Sequence, residues 1–328
     1  MTAEEQDNVA IVAISNPRSG RNKRGGFEKF KAVLQAFPEI KHIVTKNEND
    51  LLEALALCQS QQIKILMING GDGTLLQILT YLKNKENCTY VPCLVLLKAG
   101  TTSMAYGDVG CKVRIEKVIR KTIQFAQGEG DVLKKTQRNV LQMVLPDSHT
   151  TVCGMFFGAG AIYNGILYCR QNIHTKAVRG ELGPTMAMMR YILDWLTVNK
   201  MITSTQAKID IDETISLQGD YSIITATTLN RLLMGVYPFW SANKSANHIA
   251  LTLIKKHAPK AASAFINILR GNEPGVEYKP DFYQSFCPEN VSLVIQDGFT
   301  LDGELFGRPG VATQVELSSA GSVTFLTE

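Results

Sequence analysis

The sequence lacks a dense block of one charge, a C-x-x-C pair, any internal repeat and any low-complexity stretch. Its 34 lysines and arginines against 30 aspartates and glutamates leave a net charge of only +4. No basic run is dense enough for a nucleic-acid arm, so nucleic acid is not expected as a partner, and the charge supports only a shallow preference for anionic surfaces. The seven cysteines (Cys58, Cys88, Cys93, Cys111, Cys153, Cys169 and Cys287) form an odd set with no histidine at zinc-ligand spacing. They read as reduced, mostly buried thiols of a cytosolic protein. His42, His149, His174, His248 and His257 fall in no nucleophile or metal pattern. The N-terminal MTAEEQDN lacks the basic-then-apolar order of a signal peptide, so export is not expected. One uncharged run, Thr150 to Cys169, has the twenty residues that would span a bilayer. Gly154, Gly158, Gly160 and Gly165 break it, and a buried strand, a glycine turn and the start of the next element explain it better.

What is present suffices for two ordinary cores: 328 residues, 45% of them hydrophobic. Val9–Ser15, Ile63–Ile68 and Val91–Leu97 have strand length and β-branched character. Between them lie helical patterns, with Phe27, Phe30, Val33, Leu34 and Phe37 on one face, then Leu51, Leu52, Leu55 and Leu57. Strand, helix, strand at this spacing predicts parallel βαβ units. After Gly128-Glu129-Gly130 the texture changes to short strands: Val140–Leu145, Thr151–Phe157, Ala207–Ile211, Tyr221–Ala226, Ile249–Ile254, Val291–Ile295 and Val315–Leu317. Thr185–Val198 is the exception, with Met186, Met189, Ile192, Leu193 and Leu196 at helical spacing. The expected division is an α/β nucleotide-binding domain over 1–130 and a β-rich domain over 131–328, whose last residues are able to return to the first.

The stretch Ile68-Asn69-Gly70-Gly71-Asp72-Gly73-Thr74-Leu75 leaves one apolar run and enters a helical one. Glycines there would let main-chain N–H groups approach an anion and take angles closed to other residues. The helix start adds partial positive charge. Asp72 is out of place beside a phosphate unless a cation or a proton transfer requires it. A plain turn with Asp72 or Thr74 as helix cap is the simpler alternative. A second turn of the same kind, Asn16-Pro17-Arg18-Ser19-Gly20, follows the first strand, and basic residues follow it in turn. In a parallel sheet both fall at the carboxyl ends of strands, where such sheets bind ligands. Neither is a Walker A loop or a G-x-G-x-x-G fingerprint.

These residues resemble the diacylglycerol kinase and sphingosine kinase catalytic-domain superfamily of lipid kinases. Its N-P-x-S-G turn is similar to Asn16–Gly20, its G-G-D-G-T turn to Gly70–Thr74, and its D-G-E motif to Asp302-Gly303-Glu304. Phe157–Gly165 and Arg179–Gly183 look like the family's glycine-rich strand and following helix start. The resemblance implies an NAD kinase-like parallel α/β domain with a β-sandwich-like second domain, and an ATP- and Mg²⁺-dependent transfer to a lipid hydroxyl. Asn16, Pro17, Ser19, Gly20, Thr45, Gly70, Gly71, Asp72, Gly73, Thr74, Gly100 and Thr101 would then bind nucleotide. Asp302 and Glu304 would face Asp72 across an interdomain cleft, and the three would divide proton acceptance and Mg²⁺ support, with the assignment among them left open. The implied partner is a membrane lipid met by peripheral association at the inner membrane face of the cytoplasm, with a homodimer as the implied assembly.

Two departures stand out. The family's P-x-G-T-x-N-D appears as Lys98–Met104, so Ser103 and Met104 replace the Asn-Asp pair; Asp108, one helical turn on, is the substitute metal support. Pro238–Asn247 resembles the family's P-x-A segment without the following D-D-G, and Lys98 and Lys244 are available as cations. Arg179 and Arg190 are candidate phosphate contacts, and Met186, Met188 and Met189 a candidate acyl-chain lining, although solvated arginines and core methionines are the simpler readings. An NAD kinase-like enzyme, whose superfamily shares G-G-D-G-T, and a nucleotide-binding relative that has lost catalysis are the alternatives.

Overall fold

The structure, a computed structural model, describes residues 10–84, 86, 88–100, 104–129, 132–172, 204–232, 236–241, 249–260, 264, 267, 268, 270, 272–274 and 279–328. The expected helix at 185–198, Arg179, Thr101, Ser103 and 242–247 lie outside the described residues. The chain forms two compact units, Met1–Arg138 with Val323–Glu328, and Asn139–Ser322.

The first unit is built on β1 (Ile11–Ser15), α1 (Gly26–Leu34), β2 (Ile40–Val44), α2 (Glu48–Ser60), β3 (Ile65–Asn69), α3 (Asp72–Lys83), β4 (Cys93–Leu96), α4 (Met104–Val109) and α5 (Ile115–Ala126). Its strands run parallel in the order β2–β1–β3–β4. Every residue of β1 and β3 is buried, the pattern of a sheet covered on both faces, which is why these runs are continuously apolar rather than alternating. On one face Phe30 and Leu34 of α1 and Val118 and Ile119 of α5 pack on Ile11, Ala13, Ile65 and Met67. In α2 the buried stripe is Leu51, Ala54, Leu55 and Cys58. Leu52, expected on that stripe, is 43% exposed.

The chain leaves the first unit within β5 (Lys134–Leu145) and returns within its last strand. The second unit continues through β6 (Thr150–Gly154), β7 (Phe156–Gly160), α6 (Ala161–Asn172), β8 (Thr205–Ile211), β9 (Ile215–Thr227), β10 (Ala250–Lys255), β11 (Tyr283–Phe286), β12 (Asn290–Ile295), β13 (Phe299–Leu301), β14 (Glu304–Phe306) and β15 (Thr313–Thr327). Antiparallel pairing links β14, β13, β7, β9, β8, β12 and the start of β15 in that order, and β10 joins β9 to β11. The far end of β15 lies in the first unit, where Phe325 pairs in parallel with Leu94 of β4. The architecture is thus the expected parallel α/β half followed by a β-rich half. The uncharged run from Thr150 to Cys169 resolves into β6, β7 and the start of α6. Among the described residues no helix is long and apolar enough to cross a membrane.

Candidate active site

The four parallel strands end at Ser15, Val44, Asn69 and Leu96, so the turns that follow them share one sheet edge. There the two glycine turns are joined by side chains. The Ser19 hydroxyl accepts the Gly71 N–H at 3.0 Å, and the Asn16 amide donates to the Thr74 hydroxyl at 3.0 Å. Asn22, buried, donates to the carbonyls of Asn16 at 2.8 Å and Asn69 at 3.1 Å. The Arg18 N–H is taken by the Asn16 side-chain oxygen, which closes the N-P-x-S-G turn on itself.

The glycines serve closeness rather than unusual backbone angles, which corrects the sequence-based expectation. None of Gly70, Gly71 and Gly73 has a positive φ, and Gly71 is extended at φ −91°, ψ −175°. A Cβ on Gly70 would stand 2.6 Å from the Thr74 side chain. One on Gly71 would fill the space where the turns meet, 3.5 Å from the Gly100 Cα and 3.9 Å from Ser19 Oγ. Gly70, Gly71, Asp72, Leu75, Leu97 and Tyr106 line a shallow depression there. The Gly71 N–H is already committed to Ser19, and the Thr74 and Leu75 N–H groups donate to the Gly71 carbonyl at 3.0 Å and 3.1 Å, so an anion would meet the very start of α3, at Asp72 and Gly73.

Asp72 opens α3, and its carboxylate accepts the Met104 N–H at 3.2 Å. Thr45, buried just after β2, turns its hydroxyl to the Ser15 carbonyl at 3.4 Å while its N–H donates to the same oxygen at 2.9 Å. Pro17, Gly20 and Gly73 are half-buried beside these groups, and Gly100 is buried. Asp108 is placed differently from the sequence-based expectation. Its two oxygens accept from Arg138 Nε at 2.8 Å and Nη2 at 3.3 Å, and its side chain is 3% exposed. It is the anionic half of a largely buried ion pair rather than an open ligand for a metal.

A polar layer beneath the turns escaped the sequence reading. The Asn69 amide donates to Ser15 Oγ at 3.1 Å, and His42 Nε2 lies 2.9 Å from the same hydroxyl. Burial, and then the charge of Lys31, hold the His42 pKa below its ordinary value, which suits an imidazole that accepts from Ser15. The available signal was a serine and an asparagine closing two otherwise apolar buried strands.

In the second unit, Asp302 and Gly303 form the two-residue turn between β13 and β14, with φ of 49° and 86°. Positive φ at both positions is what a tight I′ hairpin requires, and Asp-Gly is a preferred pair for it. The Asp302 carboxylate is buried and accepts the N–H groups of Met155 and Phe156, each at 2.9 Å. Gly154 makes room for it, because a Cβ there would lie 2.6 Å from Asp302 Oδ2. Glu304 is half exposed, and Arg170 reaches both its carboxylate at 3.4 Å and the Gly303 carbonyl at 2.8 Å. The D-G-E residues thus form the simple hairpin, with its aspartate pinned by two main-chain amides.

Residues 10–135, which contain both glycine turns, match the model of the diacylglycerol kinase catalytic domain. Over that segment the chain resembles the family. The diacylglycerol kinase-like turns lie inside the matched segment and the D-G-E hairpin beyond it. Among curated proteins, none matches the chain. A Bacillus anthracis structure provisionally named a diacylglycerol kinase is similar over 99% of this chain and 97% of its own, at 15% identity and a TM-score of 0.66. Another from that organism, named a diacylglycerol kinase, covers 96% of each chain at 15% identity and a TM-score of 0.61. A yeast NADH kinase complexed with NADH covers 98% of this chain and 84% of its own at 12% identity and a TM-score of 0.50. At these identities the likeness is one of fold.

Proposed function

We propose that the protein transfers the γ-phosphoryl group of ATP to the hydroxyl of diacylglycerol or a related long-chain lipid. The observation that carries this reading is the joining of the N-P-x-S-G and G-G-D-G-T turns by Ser19 and Asn16 at one sheet edge, within a segment that matches a diacylglycerol kinase catalytic domain. Phosphoryl transfer asks mainly for positioning and charge stabilisation. The start of α3 at Asp72 and Gly73 orients the phosphates, and the small residues Gly71 and Gly100 leave the space they enter. Asp72 is the carboxylate at this edge suited to Mg²⁺. Among the described residues no group of three or more His, Cys, Asp or Glu is gathered, and one or two carboxylates plus phosphates and water are the usual Mg²⁺ environment. When bound, Mg²⁺ supplies the screening of the developing phosphate charge.

Asp302 holds the hairpin, with both oxygens taking amides, which leaves half-exposed Glu304, beside Arg170, as the D-G-E carboxylate offered to a lipid hydroxyl. The reading includes peripheral contact with a membrane surface and a homodimer. An NAD kinase-like activity is the second reading, favoured by the fold shared with the yeast NADH kinase.

The test is transfer of labelled γ-phosphate from ATP with Mg²⁺ to a panel of detergent-dispersed lipids, with NAD alongside and Asp72→Asn as control. Label on a lipid that vanishes in the variant supports the lipid kinase. Label on NAD alone supports the second reading. ATP binding with no label on any acceptor makes the protein a nucleotide-binding relative without turnover.

A further inference from the structure

We infer that the Asp108–Arg138 ion pair is a latch that positions Asp72 through α4. The placing of Asp72 at a reacting site rests on the kinase reading; the latch itself is a property of the fold. The helix is six residues long, and only Ala105 and Val109 are buried in it. So short a helix has little stability of its own. Yet its first N–H, that of Met104, donates to the Asp72 carboxylate at 3.2 Å. One turn later Asp108 takes Arg138 at 2.8 Å and 3.3 Å, and Arg138 also donates to the Gln137 carbonyl at 2.8 Å. The far end is closed by Gly110, whose N–H bonds the Tyr106 carbonyl at 2.9 Å and whose Cβ would overlap the Tyr106 ring.

A buried ion pair is weak as a source of net stability, because desolvation offsets attraction, but it defines geometry in a way apolar contacts do not. Here the forked guanidinium fixes the rotation of α4 near its C-terminal end, and that rotation sets where the Met104 amide points. Asp108 and Arg138 are thus positioning residues: neither touches the depression at the turns, and both act on a carboxylate that does. The sequence departure makes the arrangement intelligible. Where the family carries an Asn-Asp pair, this chain has Ser103 and Met104, so the position brings no side-chain carboxylate, and its backbone amide meets Asp72. An amide donor then has to be aimed, and the ion pair aims it.

The experiment is residue-resolved hydrogen exchange on the full chain without ligands, for wild type, Asp108→Asn, Arg138→Lys, Asp72→Ala and the Asp72→Ala/Asp108→Asn double variant. Asp108→Asn is isosteric and keeps the side chain's volume. It is expected to speed exchange at Met104 and Ala105 about tenfold or more while β3 stays protected, as local opening does; Arg138→Lys gives a smaller effect. Asp72→Ala frees the same amide, so the double variant adds nothing further at Met104, the signature of coupled positions. Unchanged exchange at Met104, equal acceleration in β3, or additive effects in the double variant overturns the latch. In the transfer assay Asp108→Asn lowers kcat with little change in KM for ATP, and a lowered kcat with Met104 still protected also overturns it. Absence of transfer by wild type overturns the kinase reading instead, and the exchange data still decide the latch.

Discussion

Ser19 spends its hydroxyl on a backbone amide 52 residues away, and that single contact sets what its loss would do. Ser19→Ala leaves the Gly71 N–H with no side-chain acceptor at the place where two turns meet. The expected cost is about 1–2 kcal/mol in urea unfolding, together with weaker ATP binding. Gly154→Ala should be as costly. A methyl group 2.6 Å from an Asp302 oxygen that two amides already pin cannot be relieved by a rotamer change, and about 2 kcal/mol is expected from overpacking. Neither effect was legible beforehand. The glycines of G-G-D-G-T announce a turn in any sequence, but that Gly70 is required by the Thr74 side chain, while Gly71 lies against Gly100 and Ser19, depends on which groups the fold brings together. The aspartate of D-G-E likewise reads as a hairpin residue from its neighbour alone, whereas its grip on Met155 and Phe156 spans nearly half the chain.

At the scale of elements, α2 separates pattern from position. Leu51, Leu52, Leu55 and Leu57 make a plausible apolar set, yet the buried stripe is Leu51, Ala54, Leu55 and Cys58. Leu55→Ala is expected to cost about 2–4 kcal/mol. Leu52→Lys should stay within about 0.5 kcal/mol by the same unfolding assay. The strands were easier to find because β1 and β3 are buried on both faces and so remain continuously apolar. The layer beneath the turns adds a pH dependence. His42 has its pKa lowered by burial and Lys31, so below the ordinary value near 6.5 the unfolded chain binds the proton more readily than the folded one. Stability is complete above that pH and declines as pH falls through it. His42→Gln, which retains a polar partner for Ser15, should flatten that slope between pH 5 and 7.

For the whole molecule, thiols and chain path matter most. Cys58 and Cys111 are pushed up to about 11 by burial. Their contribution is present below the ordinary thiol value near 9 and is lost as pH rises through about 11, and neither should react with a thiol reagent at neutral pH until the protein unfolds. The other global feature is the return of β15, which supplies Phe325 beside Leu94 and Leu326 to the first core. The segment that matches the diacylglycerol kinase catalytic-domain model ends at residue 135, so sequence similarity outlines a piece that the fold does not close. A fragment ending at Arg138 should lack a cooperative unfolding transition, as followed by circular dichroism, and Phe325→Ala in the full chain should cost about 3–5 kcal/mol. On the ribosome the same feature becomes a delay. The first unit is made first but waits for its closing strand while Asn139–Ser322 is synthesised, on the order of 10–40 s at ordinary elongation rates. Throughout that interval β4 has one side unpaired, and the newly made first half is the part of this protein most in need of a chaperone.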